Sequence, residues 1–204
     1  MFKKGLLFAC SLFLATSVMA ATLPVDIKPT DLRVYGDKQN PAIIYVFSSL
    51  TCPHCSVFHK DVMPKLKEQY VDTNKAKLVY VDMPYDSMAM TGFTISRCMA
   101  PDKYEAFMDV MFENQLLWSN AEKPREIMTR FATMLGGMTK NEVDVCLANE
   151  ELKKTIIRQR TNLAELYDVT GMPTVVVVKN NQTKKIAGSD EKAILKVVDE
   201  RLAN

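Results

Sequence analysis

The chain has 204 residues, 48% hydrophobic and 25% charged, the balance of a soluble globule able to bury a real core. Its 26 basic and 24 acidic side chains leave a formal charge of +2. That near-neutral balance excludes a strongly basic protein overall and gives no sign of nucleic acid or an anionic membrane surface as partner.

The first twenty residues, MFKKGLLFACSLFLATSVMA, stand apart. Lys3 and Lys4 form a basic start, Gly5 to Thr16 an apolar run, and Val18-Met19-Ala20 a small-x-small cleavage pattern. The run is too short to span about 30 Å of hydrocarbon comfortably. Residues 1–20 therefore read as a signal peptide cleaved after Ala20, and the loss of its two lysines leaves 24 basic against 24 acidic side chains. Cys10 leaves with it. Export would deliver Cys52, Cys55, Cys98 and Cys146 to an oxidising compartment, where disulfides persist. Four cysteines allow three pairings; if 52 joins 55, the remainder is 98 with 146.

Residues 22–42 hold Pro24, Pro29 and Pro41 and read as irregular, with one edge strand around Leu32 to Tyr35. AIIYVF (42–47) is a short apolar, β-rich run of the kind buried in a parallel sheet. TCPHC follows at once, and Pro53 suits the first turn of a helix, where its missing N–H costs nothing. That helix runs on through Val57, Phe58, Val62, Leu66 and Tyr70 at near-helical spacing, with a kink expected at Pro64 and His59 on its outer surface. KLVYVDMP (77–84) is the next strand and completes a β-α-β unit.

From about Asp86 to Thr170 the pattern is helical, with segments around 87–99, 102–116, 124–135, 139–148 and 150–167. A crossover needs only a dozen or so residues, so this stretch reads as an inserted all-helical subdomain. TVVVVK (174–179), a turn at Asn180-Asn181 and TKKIAG (183–188) form a hairpin, and Ser189 caps a last helix. Eight of the thirteen methionines fall between Met88 and Met138. They suit either core packing, the commoner use, or a soft peptide-binding groove.

The chemistry gathers at Cys52-Pro53-His54-Cys55. A helix N-terminus favours negative charge through its unpaired N–H groups and macrodipole. Cys52 at the cap should therefore be stabilised as a thiolate, with His54 adding positive potential and Cys55 facing the same way but deeper. In the most favourable such sites a thiol falls from about 8.5 to about 3.5. A thiolate so stabilised is a good leaving group and makes its disulfide oxidising. A zinc site would need two more ligands, and His59, Cys98 and Cys146 stand at no recognised spacing.

TCPHC after a buried strand, the β-α-β start and GMPTVVVV (171–178) before a hairpin and helix resemble the thioredoxin fold. The Pro-His dipeptide and the helical insertion together resemble the DsbA-like thiol:disulfide oxidoreductases of the bacterial periplasm. The resemblance covers roughly residues 25–202. It implies an α/β thioredoxin fold in two parts, 21–85 and 171–204, around the insertion at 86–170. It makes Cys52 the exposed nucleophile, Cys55 its buried resolving partner and His54 the tuner of the thiolate. Pro173 matches a cis-proline facing the active-site disulfide, and Met172 the residue whose backbone pairs with substrate.

Two features depart from the family pattern. Many members carry a buried acid six residues before the first cysteine, and that position here is Val46. Cys98 and Cys146 are additional and are expected to form a structural bridge; closing a loop of that length is worth about 4 kcal/mol in the chain-entropy model.

The resemblance implies a monomeric periplasmic oxidant that introduces disulfides into reduced, unfolded exported proteins. It would need no metal or dissociable cofactor, and a DsbB-type membrane quinone-coupled partner would reoxidise it. The alternatives are an isomerase or reductase on the same fold and a non-catalytic peptide-binding chaperone. Isomerases of the family usually dimerise through an N-terminal domain, and the roughly twenty residues after Ala20 are too few for one.

Overall fold

The computed structural model describes residues 32–203. The signal-peptide reading of residues 1–20, with Cys10 and the Ala20 cleavage point, lies outside the described residues. Five strands form one mixed sheet in the order β1-β3-β2-β4-β5. β1 (Arg33–Tyr35) runs antiparallel to β3 (Lys77–Asp82), which runs parallel to the central β2 (Ile43–Ser48). β4 (Thr174–Lys179) pairs antiparallel with β2 and then with β5 (Gln182–Ala187).

Every residue of β2 is buried, because the strand has neighbours on both edges and cover on both faces. Alternation sorts its side chains. Ile44 and Val46 join Leu78, Tyr80, Val175 and Val177 in the larger core, while Ile43, Tyr45 and Phe47 join Val79, Val81 and Val176 on the opposite face.

The larger core is covered by α1 (Pro53–Asp61), α2 (Met63–Leu66) and α9 (Glu191–Ala203). The break at Val62 falls just before Pro64, and a π-helical turn over Lys67–Val71 follows α2.

Six helices occupy the chain between β3 and β4: α3 (Ser87–Cys98), α4 (Pro101–Glu113), α5 (Gln115–Ser119), α6 (Pro124–Gly136), α7 (Lys140–Leu147) and α8 (Glu150–Leu166). Local chemistry sets their starts. Asp86 and Asn149 accept the N–H of Ala89 and Leu152, Thr139 and Glu142 form a capping box, and prolines open α4 and α6. Gly137, at φ 67°, ends α6 in the left-handed conformation glycine tolerates best. α8 carries Leu163 into the smaller core. Among the described residues no helix is long and apolar enough to cross a membrane.

The helical span read as 102–116 divides at Asn114 into α4 and α5. Of the clustered methionines, Met99, Met108, Met111, Met128 and Met138 are buried in the core, whereas Met134 is exposed. Cys98 and Cys146 are bridged, tying α3 to α7 with their Cα atoms 6.2 Å apart.

Beneath the helices, Asp82 lies fully buried at the end of β3, its carboxylate 2.6 Å from Arg97 Nε and 3.4 Å from the Tyr104 hydroxyl. Burial raises the Asp82 carboxyl, and the neighbouring Arg97 charge opposes that rise. Arg33 secures the end of α3 by donating to the carbonyls of Ser96, Arg97 and Met99.

α3 reaches the sheet end through Gly92. A Cβ there would stand 2.6 Å from Leu50 Cδ1 and 3.3 Å from Met111 Cε. Alanine's better helix propensity is worth up to about 1 kcal/mol, but overpacking a buried contact costs about 1–3 kcal/mol. Gly92→Ala should therefore lower stability by about 1 kcal/mol, read as a lower urea midpoint at unchanged slope.

Candidate active site

β2 ends at Ser48, and Ser49-Leu50-Thr51 turn the chain into α1. Cys52 is the N-cap, in an extended conformation with φ −84° and ψ 118°. Its carbonyl accepts from the N–H groups of Cys55 at 3.0 Å and Ser56 at 3.2 Å, closing the first turn. Pro53 fills the first helical position, as its fixed φ allows. Cys52 is half-buried and His54 exposed, whereas Cys55 is 0% exposed. Both cysteines are free thiols.

The two sulfurs differ sharply. Cys52 is lowered from its ordinary 9.0 to about 6, mainly by the hydrogen bond from the Cys55 thiol. Burial opposes that fall, while the backbone N–H groups of Cys55 and His54 and the charge of His54 assist it. Cys55 is pushed far up, first because its proton is committed to Cys52 and next because its sulfur is buried. The Ser49 N–H, 3.4 Å from Cys55 Sγ, opposes this only in part. The arrangement presents one accessible thiolate and holds its proton on the inner sulfur.

The loop before β4 closes over the pair. The Met172–Pro173 peptide bond is cis, and the Cys52 thiol points at the Met172 carbonyl from 3.8 Å. Position 46 is apolar and fully buried, so no acid lies there.

Gln115 completes the site, and sequence reasoning missed it. Its side chain is 5% exposed and its amide donates to the carbonyls of Leu50, at 2.7 Å, and Cys52, at 3.0 Å. It fixes the turn that carries Cys52 and leaves Leu116 and Leu117 exposed beside it. Its signal, the last of three polar residues (Glu113, Asn114, Gln115) before Leu116-Leu117-Trp118, identifies no partner.

His59 corrects an expectation. It faces inward at 7% exposure, its Nε2 2.7 Å from Asp109 Oδ1 and its ring stacked on Phe112 at 4.3 Å. Val57, expected within the apolar stripe, is exposed instead. Helix geometry explains both: Cys55, Phe58, His59 and Val62 stand at i, i+3, i+4 and i+7, so burying Cys55 buries His59. Among the described residues no group of three or more histidine, cysteine or acidic side chains is placed to hold a metal ion.

A family model described as Thioredoxin matches residues 28–200. A Rickettsia bellii protein named "Putative protein-disulfide oxidoreductase" is 28% identical over 166 residues, 79% of this chain and 64% of its own length. Across the Rickettsia relatives matched first, the chain spans between 52% and 66% of their length. Among solved structures, Wolbachia pipientis alpha-DsbA1 superposes with a TM-score of 0.76 at 22% identity, over 89% of this chain and 94% of that one. Oxidised BdbD from Bacillus subtilis gives 0.69 at 20% identity, over 86% and 95%. These two likenesses carry the fold: the sheet and its helices are arranged as in DsbA-like structures.

Ionisation of Cys52 should be visible directly. Thiolate absorbance near 240 nm should titrate with a midpoint near 6, and His54→Ala should raise it. Because the folded value lies below the ordinary 9.0, the stabilisation is complete above about pH 9 and lost as pH falls through 6. The stability advantage of the reduced protein over Cys52→Ser should thus widen from about pH 5 to about pH 8 in paired thermal melts.

Proposed function

The chain belongs to the thioredoxin family, and on that premise we propose that it is a DsbA-like thiol:disulfide oxidoreductase that introduces disulfides into exported proteins. The asymmetry of the two sulfurs carries the reading: Cys52 rests as an anion while the buried Cys55 retains its proton. A substrate thiolate attacks Cys52 Sγ in the oxidised pair, the Cys52–Cys55 bond breaks, and its electron pair passes to Cys55 Sγ, which takes up a proton. The substrate's second thiol, as thiolate, then attacks its own sulfur in the mixed disulfide. Cys52 departs as thiolate and the substrate leaves oxidised. Two electrons have moved from the substrate dithiol to the protein dithiol.

Each neighbouring residue supports a step in this reading. His54 and the helix N–H groups favour the departing Cys52 anion. Met172 and Pro173, beside that sulfur, would receive the backbone of an extended substrate. Gln115 holds the turn in place for both. The disulfide between Cys98 and Cys146 is structural, inside a helical subdomain spanning 86–170 that is inserted between two thioredoxin parts at 21–85 and 171–204. The protein acts as a periplasmic monomer after loss of residues 1–20, and a DsbB-type quinone-coupled membrane protein reoxidises it.

A Cys52 value of about 6 lies between the about 7 of thioredoxin and the about 3.5 of DsbA. The Cys52/Cys55 couple, equilibrated with glutathione, should therefore fall between about −270 and about −120 mV. Oxidised protein should regenerate active ribonuclease from the reduced, unfolded chain, and Cys52→Ser should lose that activity by at least about a thousandfold. Cys55→Ser should accumulate the mixed disulfide on a gel. Efficient rescue of scrambled ribonuclease with no net oxidation would assign an isomerase instead. Retention of function by Cys52→Ser would leave a peptide-binding chaperone.

A further inference from the structure

This inference rests on the proposed exchange. In that exchange the Cys55 sulfur leaves as an anion and must gain a proton, yet it is 0% exposed. The proton needs a route through the protein, and the sheet beneath α1 limits which groups can supply one. In the β2–β3 register Val46 stands beside Tyr80 and Ser48 beside Asp82, all at alternate positions on the face that α1 covers. Val46 has no proton to move. The carboxylate of Asp82 is held by Arg97 at 2.6 Å, with the Tyr104 hydroxyl at 3.4 Å.

Ser48 and Tyr80 differ from Asp82. Each is 1% exposed, and the Ser48 hydroxyl lies within hydrogen-bonding reach of both the Cys55 sulfur and the Tyr80 phenol. Neither hydroxyl has a partner outside this short chain from sulfur to phenol, so the chain is a path a proton can follow. Both feel Cys55: the Ser48 hydroxyl lowers its thiol, and the Cys55 charge raises the already buried Tyr80 phenol. A third buried atom of this kind, His59 Nδ1, lies one helical turn beyond Cys55. The His59 ring meets Tyr80 edge-on, with centroids 6.4 Å apart. Its Nε2 is bound to Asp109, which is 43% exposed and feels the charge of Lys67, itself paired with Glu105. The remaining groups facing this row are Tyr35 and Tyr104, from β1 and α4.

We propose that His59, paired with Asp109, stores the proton that Cys55 gains and loses, and that Tyr80 and Ser48 pass it between them. With the Cys52–Cys55 disulfide intact, the proton waits on the His59–Asp109 pair, held together at 2.7 Å. As the disulfide opens, a proton passes from the Tyr80 hydroxyl, through Ser48, to the Cys55 thiolate, and the Tyr80 hydroxyl is restored from His59, whose ring meets it edge-on. The buried Cys55 anion is discharged without a proton having to enter from solvent at the sulfur itself. When Cys55 is deprotonated for reoxidation, the proton returns by the same path. Tyr80 and His59 are thereby positioning and proton-carrying residues; neither touches the substrate.

Tyr80→Phe keeps the buried ring and removes only the hydroxyl that meets Ser48, so it should still fold. The rate of reduction of oxidised protein by dithiothreitol, followed by acid quench and alkylation from pH 5 to 8, should fall at least about tenfold in Tyr80→Phe and in His59→Phe. The double variant should be no slower than the slower single one, and neither the oxidised melting temperature nor the Cys52 titration of Tyr80→Phe should move. Should His59→Phe fail to fold, Asp109→Asn probes the same arm. Wild-type rates at every pH in Tyr80→Phe, or a loss confined to Asp82→Asn, would overturn the assignment while leaving the oxidant intact. A wild-type protein that neither exchanges with dithiothreitol nor oxidises reduced ribonuclease would overturn both.

Discussion

The structure depends on one junction, where the fully buried strand β2 turns into α1 between Ser48 and Pro53. It delivers two sulfurs three residues apart into opposite environments. Cys52 meets helix N–H groups, the His54 charge and the Cys55 proton, all of which favour the anion. Cys55, a turn deeper, meets the Val46 and Tyr80 layer of the sheet, in which an anion is costly. An ordinary pair of equivalent thiols would share their proton evenly. The hydrogen bond between the sulfurs, the helix terminus and the greater depth of Cys55 together break the symmetry.

The turn itself has little intrinsic rigidity, and residues from three distant segments supply it. Gln115 grips the Leu50 and Cys52 carbonyls, Met172 faces the Cys52 sulfur, and Gly92 lets α3 approach Leu50 closely. Two of these come from the helices between β3 and β4. Those helices are anchored by the Cys98–Cys146 bridge and by the buried Asp82–Arg97 pair, whose desolvation is offset by short, well-aligned contacts. The helical portion thus frames the reacting sulfurs and buries most of its methionines within itself.

Where a residue's signal was local, the sequence read true. β2, β3 and β4 announced themselves as apolar β-branched runs, and the helix starts at Asp86, Pro101, Pro124 and Thr139 follow from capping chemistry. Where the signal was a choice of face, it faltered. His59 and Val57 exchanged their expected sides because hydrophobicity was weighed above position: the helix is phased by Cys55, which carries His59 inward against Phe112 and Asp109. The division at Asn114 escaped notice for a similar reason. Asn114 leaves helical geometry at φ −103° and ψ 23°, and the residue after it, Gln115, reaches carbonyls more than sixty residues away.

The sequence by itself determined the strand-to-helix placement of Cys52-Pro53-His54-Cys55, because apolar alternation, a first-turn proline and a cap are properties of adjacent residues. It also determined the thioredoxin architecture, since that order of strands and helices is written along the chain. Only the tertiary structure decided that Gln115 fixes the turn, that His59 faces inward, and that Ser48 and Tyr80 lie in the sheet layer beneath Cys55. Burial and hydrogen bonding are set by residues far apart in sequence, and no local pattern encodes a contact made across a sheet.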